Sequence, residues 1–219
     1  MRSTGIELEF IFPVESIKKL FSLTKQSAEK NKDDVKKHIN DKIYLKSYDS
    51  VVITFYNRIL LSEDVEKLAE DFSKIDFLSN KYYVIFLCIE SILYANGIKE
   101  NWVLKTDSSV QLFDETKIRG KDYFNFEFNT PILYAENNFE QVRFLCDLLN
   151  DLDCYVNDTC GLHVHIGIKD FSAKKLKNLI LNSHFFREIF NKINETRKTN
   201  NYCKHFHENE IYAFAISDV

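Results

Sequence analysis

Glycine and proline are scarce in this chain, with five Gly and two Pro among 219 residues. Collagen-like, repeat and low-complexity architectures need those residues at high, regular density, so they are excluded. Paired cysteine motifs are missing too. The five cysteines (Cys88, Cys146, Cys154, Cys160 and Cys203) form no C-x-x-C and are odd in number. With no signal peptide in view, they read as reduced thiols of a cytoplasmic protein. Cys160 abuts a histidine pair, but no base is spaced to make it a nucleophile. There is no long apolar run: the longest, Tyr82 to Tyr94, is interrupted by Glu90 and is too short to span a bilayer. Nor is there an excess of positive charge. Twenty-nine Lys and Arg stand against 33 Asp and Glu, a net charge of −4, with no long basic run, so electrostatic capture of nucleic acid is not expected.

What is plentiful is aromatic and apolar: 19 Phe, 11 Tyr and 45% hydrophobic residues, enough for a substantial core. The length suits one full domain or two small ones. No linker or break in composition divides the chain, so residues 1–219 are expected to form a single domain.

Thr159-Cys160-Gly161-Leu162-His163-Val164-His165-Ile166-Gly167 is the most informative stretch. Leu162, Val164 and Ile166 alternate with His163 and His165, the period of a strand with one apolar face and one histidine face. Same-face neighbours on a strand lie about 6.7 Å apart, so both imidazoles address one space. That space is either a metal or anion site or a setting for two half-buried histidines with polar partners of their own.

Two further stretches alternate in the same way. In Gly5–Phe12, Ile6, Leu8 and Phe10 face one way and Glu7 and Glu9 the other, with Pro13 ending the run. In Tyr123–Pro131, Phe124, Phe126 and Phe128 oppose Asn125 and Glu127. The acidic face of Glu7 and Glu9 fits a site or a solvated edge equally well.

Helical spacing is expected from Val14 to Asn40, with Ile17, Leu20, Phe21 and Leu23 as a stripe and Lys25–Asn40 as a solvated helix or loop. The β-branched run Val51–Tyr56 predicts a strand. Ser62 predicts the N-cap of a short helix, and Asn96-Gly97 closes a buried helix begun near Asn80. Trp102–Val110 predicts two extended pieces meeting at an Asp-Ser-Ser turn. A helix follows over Glu136–Leu152. Ser172 caps a long one whose buried face is Leu176, Leu179, Ile180, Phe186, Ile189 and Ile193. Helices and strands do not alternate strictly, so the fold class is α+β with a mainly antiparallel sheet.

If the three polar faces share one side of that sheet, Glu7, Glu9, Glu127, His163 and His165 come together. So many carboxylates repel unless cations sit between them. An oxygen-rich set with few nitrogens suits Mg²⁺ or Mn²⁺ rather than structural Zn²⁺. Carboxylates at that spacing can hold a metal pair about 3.5–4 Å apart, an arrangement that clamps nucleotide phosphates.

The ordered set G-I-E-L-E-F, W-V-L-K-T-D-S-S-V, F-E-F-N-T-P, C-G-L-H-V-H-I-G and R-K-T-N-N-Y-C resembles the amidoligase family of glutamine synthetase-like carboxylate–amine ligases. The resemblance runs from about Gly5 to Cys203. It implies an antiparallel sheet curved into a half-barrel with helices on its outer face. It also implies an ATP- and Mg²⁺-dependent (or Mn²⁺-dependent) ligase working through an acyl phosphate on small-molecule or peptide carboxylates and amines. Glu7, Glu9, Glu127 and His163 take the metal-ligand roles, and His165 reaches substrate or phosphate. Arg197 contacts phosphate or carboxylate, and Lys105, Asp107 and Ser109 bind the nucleotide.

One departure stands out. The family continues to a T-x-E-[FY]-R strand, whereas this chain ends Ile211–Val219 without one. The expectation is a chain short of its last strand, completed by a second copy or a partner chain, or inactive. A catalytically incomplete metal- and nucleotide-binding homologue is therefore the alternative, with a two-metal hydrolase behind it.

Overall fold

The computed structural model describes residues 3–46, 48–99, 102–112, 114, 116–134, 137–193 and 195. They fall into two compact units, one running from Ser3 to His165 and the other starting at Ile166.

The first unit is built on the expected alternating stretches. Strand β1 (Thr4–Pro13) is followed by a 3₁₀ turn (Val14–Ser16) and helices α1 (Ile17–Lys30), α2 (Lys32–Lys46), α3 (Ser50–Leu61), α4 (Val65–Ser73) and α5 (Leu78–Ala95). Then come β2 (Val103–Lys105), β3 (Tyr123–Asn129), α6 (Asn137–Asp151) and β4 (Leu162–Ile166). The strands form one open sheet in the order β2-β3-β1-β4. β1 pairs antiparallel with β3, Glu9 opposite Glu127 and Glu7 opposite Asn129, and β2 pairs antiparallel with β3, Lys105 opposite Glu127.

The sheet has one apolar face because its strands alternate in phase. Phe10 and Phe12 of β1 and Phe124, Phe126 and Phe128 of β3 are all buried, with Phe10 and Phe126 stacked at 5.4 Å between ring centroids. Tyr82 of α5 meets Phe124 and Phe126 edge-on, and Phe72 of α4 tilts against Phe124. Each such ring, fully removed from water, contributes roughly 1.5–3 kcal/mol. Helix α5 is the centre of the helical layer. It packs against α1, α2 and α3, is apolar on most sides as expected, and ends at Asn96 with Gly97 at φ +86°, where a side chain would be strained.

Several expectations are corrected. Residues 51–56 are helical, not extended. Asp49 caps α3 by accepting the Val51 N–H at 2.9 Å, and Val52, Phe55, Tyr56 and Ile59 bury one helical stripe. Tertiary packing of that stripe outweighs the β-propensity of the run. Ser62 ends α3 instead of starting α4. Asp64 is the α4 N-cap, accepting the Lys67 N–H at 2.9 Å. Of the solvated helix or loop expected up to Asn40, the helix is found, as α2, but it is not wholly solvated, because Val35 and Ile39 are buried. Between Trp102 and Val110 only β2 is a strand.

In the second unit the expected long helix is two, α7 (Ala173–Phe185) and α8 (Arg187–Ile193), with the Ser172 cap as expected. Leu176, Leu179, Phe186 and Ile189 are exposed and Ile180 is half-buried. Periodicity identified a face able to be buried, but the described residues put no layer over it. Leu162, Val164 and Ile166 of β4 are exposed as well. The side chain of Ile193, with Arg197 and the ending after Asn201, lies outside the described residues. No described helix is long and apolar enough to cross a membrane.

Candidate active site

Sheet register, more than any single motif, assembles the polar face. Directly opposed residues on paired strands share a face. Glu127 therefore stands between Lys105 and Glu9, and Asn129 between Val103 and Glu7. β4 extends both rows. The Glu9 N–H donates to the Gly161 carbonyl at 3.0 Å, Glu7 meets His163, and Gly5 abuts His165. As one strand's numbers fall the other's rise, so β4 runs antiparallel to β1.

Two clusters result. At the exposed end, His163 Nδ1 lies 2.9 Å and His165 Nε2 3.3 Å from Glu7 Oε2, so both imidazoles share one carboxylate. The His163 hydrogen bond, aided by His165 and outweighing partial burial, holds the Glu7 carboxyl below its usual range. His163 Nε2 also reaches to 3.8 Å from Glu9 Oε1, bridging to the second cluster.

That cluster is Glu9, Asp107 and Glu127, each offering a carboxylate oxygen within 4.8 Å of the others. Glu9 and Glu127 are 7% exposed, and Glu9 accepts the Gly161 N–H at 2.5 Å. Burial, reinforced by the charges of Asp107 and Glu127, pushes the Glu9 carboxyl up despite that hydrogen bond and His163. Asp107 goes the other way. Burial raises it, but the Ser109 hydroxyl and N–H, each 2.7 Å from Oδ1, more than compensate and hold it down. Lys105 Nζ sits 2.8 Å from Glu127 Oε1, and the carboxylate beside it raises the ammonium. That ammonium is the partner of Glu127 Oε1, which is otherwise buried.

These residues fit a hard divalent cation. The donors are carboxylate oxygens from three side chains, and two of those side chains, Glu9 and Glu127, are buried. Gly161 leaves space beside them, since a Cβ there would stand 2.7 Å from His163 Nε2 and 3.1 Å from Glu9 Oε2.

Compared with known families, residues 1–216 match the model described as putative amidoligase enzyme. The chain belongs to that family. No curated protein and no solved structure matches it. The description is that of a ligase-type enzyme.

Of the residues singled out from the sequence of this amidoligase, Glu7, Glu9, Glu127, His163 and His165 come together, each on the strand face that alternation indicates. Lys105 joins them through Glu127. Asp107, assigned to the nucleotide, lies among the carboxylates, and Ser109 serves as its hydrogen-bond donor. Arg197 is not among the described residues. Asn129 escaped sequence reasoning. It shares the face of Glu127, stands opposite Glu7, and its Oδ1 is buried without a partner. Its place two residues after Glu127 in the same strand was the available signal.

Proposed function

We propose that this amidoligase is an ATP- and Mg²⁺-dependent carboxylate–amine ligase acting through an acyl phosphate, on the concave side of a glutamine synthetase-like half-barrel. The observation that carries the reading is the meeting of Glu9, Asp107 and Glu127, two of them buried, beside a lysine and two histidines. Three carboxylates so close repel one another, and an occupant of positive charge relieves them.

Glu9, Asp107 and Glu127 would hold one divalent cation, and Glu7 with His163 a second. When bound, the cations supply positive charge to the phosphoryl oxygens during transfer. The chain's own groups do the rest. Lys105 is half exposed on a flexible stem, so it can leave Glu127 and meet the γ-phosphate. The acid's carboxylate attacks that phosphorus, and ADP departs. The amine then attacks the acyl carbon, expels phosphate and loses a proton. With His163 given to the cation, the exposed imidazole of His165 would take that proton and orient the acid.

The test is ADP release by the full chain with Mg²⁺ across a panel of amino acids, diacids, peptides and amines. Release that requires both an acid and an amine is expected. ADP release indifferent to both overturns the ligase reading. Metal and nucleotide binding without turnover identifies a binding protein, and metal-dependent hydrolysis without nucleotide identifies a hydrolase.

A further inference from the structure

Behind the carboxylate cluster stands a buried amide that none of this chemistry uses. Asn125 is 1% exposed and precedes Glu127 by two residues on β3, on the same face. Its Nδ2 donates to the backbone carbonyl of Asp107 and, at 3.0 Å, to that of Val110. Its Oδ1 accepts the Tyr82 hydroxyl proton, and its backbone N–H donates to the Tyr82 hydroxyl oxygen at 3.3 Å. Both amide donors and the carbonyl are thus engaged. Tyr82 is itself buried, on α5.

One side chain therefore joins a central strand and the main helix to the loop carrying Asp107. That loop leaves the sheet after Lys105, so no strand ladder holds it where the third carboxylate sits. Asp107 is gripped from two sides instead. Asn125 takes its carbonyl, and Ser109 takes one carboxylate oxygen. Further along, the Gln111 N–H donates to Thr159 Oγ1 at 2.9 Å, tying the loop to the start of the histidine segment. A buried amide is costly unless fully paired, and a leucine would fill similar space. What leucine could not do is hold the two carbonyls of this loop.

We propose that Asn125, braced by Tyr82, is a positioning residue for the cation site: it sets the loop that places Asp107 against Glu9 and Glu127. The inference rests on the reading of those three carboxylates as cation ligands. Groups that orient metal ligands commonly govern affinity by about 10–100-fold.

The experiment is Mn²⁺ binding to the full chain by calorimetry, with a metal-free melt of each variant. Asn125→Leu removes the amide, and Tyr82→Phe removes only its brace. Leu68→Ala, in the helical layer on α4, is a control for general loosening. Mn²⁺ affinity should fall about 10–100-fold in Asn125→Leu and by a smaller factor in Tyr82→Phe. It should stay at the wild-type value in Leu68→Ala even though that variant melts lower. If Asn125→Leu does not fold, Tyr82→Phe decides. Wild-type affinity in the Asn125 and Tyr82 variants, or an equal loss in Leu68→Ala, overturns the inference and leaves the cation reading standing. No Mn²⁺ binding by the wild-type chain overturns both.

Discussion

Glu9 and Gly161 face each other across β1 and β4, and the carboxylate accepts the glycine's own N–H at 2.5 Å. The glycine has a second role, because its missing Cβ is what lets His163 lie over that carboxylate.

Gly161→Ala should therefore weaken the cation site with little loss of fold. The added methyl meets the far end of a flexible imidazole, which can rotate away at small cost, but His163 then leaves Glu9. Thermal melts without metal should shift by the equivalent of about 1 kcal/mol or less, within the range of a minor rotamer change. The Mn²⁺-induced shift should shrink. An unchanged metal-induced shift would show that His163 is not needed there.

Glu9→Gln should leave the metal-free protein as stable or more so. The folded-state pKa of Glu9 is raised, so its contribution is favourable below the unfolded value and is lost as pH rises through the folded one. At neutral pH the charged residue is a burden, which the amide relieves. The wild-type chain should gain about 2.7 kcal/mol from Mn²⁺ at a hundredfold excess over Kd, and the variant should gain far less. Melts at neutral pH with and without Mn²⁺ decide the matter.

Glu90 offers a pH test away from the site. It receives His38 at 3.2 Å and Lys42 at 2.7 Å, so it fastens α2 to α5. Burial alone would raise its carboxyl, but these partners outweigh burial and hold it below its usual range. The contribution is therefore present above the ordinary carboxylate value and is lost as pH falls through the depressed folded value. Glu90→Gln should cost about 1.5–3 kcal/mol at neutral pH and progressively less in acid. Urea unfolding at a series of pH values would reveal it, and a cost independent of pH would contradict it.

Asp49→Ala should lower stability by about 0.5–2 kcal/mol through the loss of the α3 N-cap. The same change at the mouth of a strand would cost little, so the measurement also tests whether 51–56 is helical. Chemical denaturation with unchanged denaturant slope is the readout.

How far the sequence sufficed depends on the range of the interaction. Which residues of β1, β3 and β4 share a face was legible, because alternation along a strand is local and needs no knowledge of the neighbours. Hence Glu7, Glu9, Glu127, His163 and His165 could be grouped. The end of α5 at Asn96-Gly97 was legible for the same reason.

Residues 51–56 were ambiguous because Val52, Phe55, Tyr56 and Ile59 satisfy the helical period while their neighbours favour strand. Only packing against α1 and α5 selects the helix.

Pairing and loop placement were decided by tertiary structure alone. The register that sets His163 beside Glu7, 156 residues away, follows from strand order, which alternation does not contain. The recruitment of Asp107 depends on an amide reaching back from β3 to a loop without regular structure. The lone acceptor on Asn129 exists only once the sheet has removed it from water. Local periodicity determined the chemistry carried by each strand face; long-range hydrogen bonding and burial determined which of those groups meet.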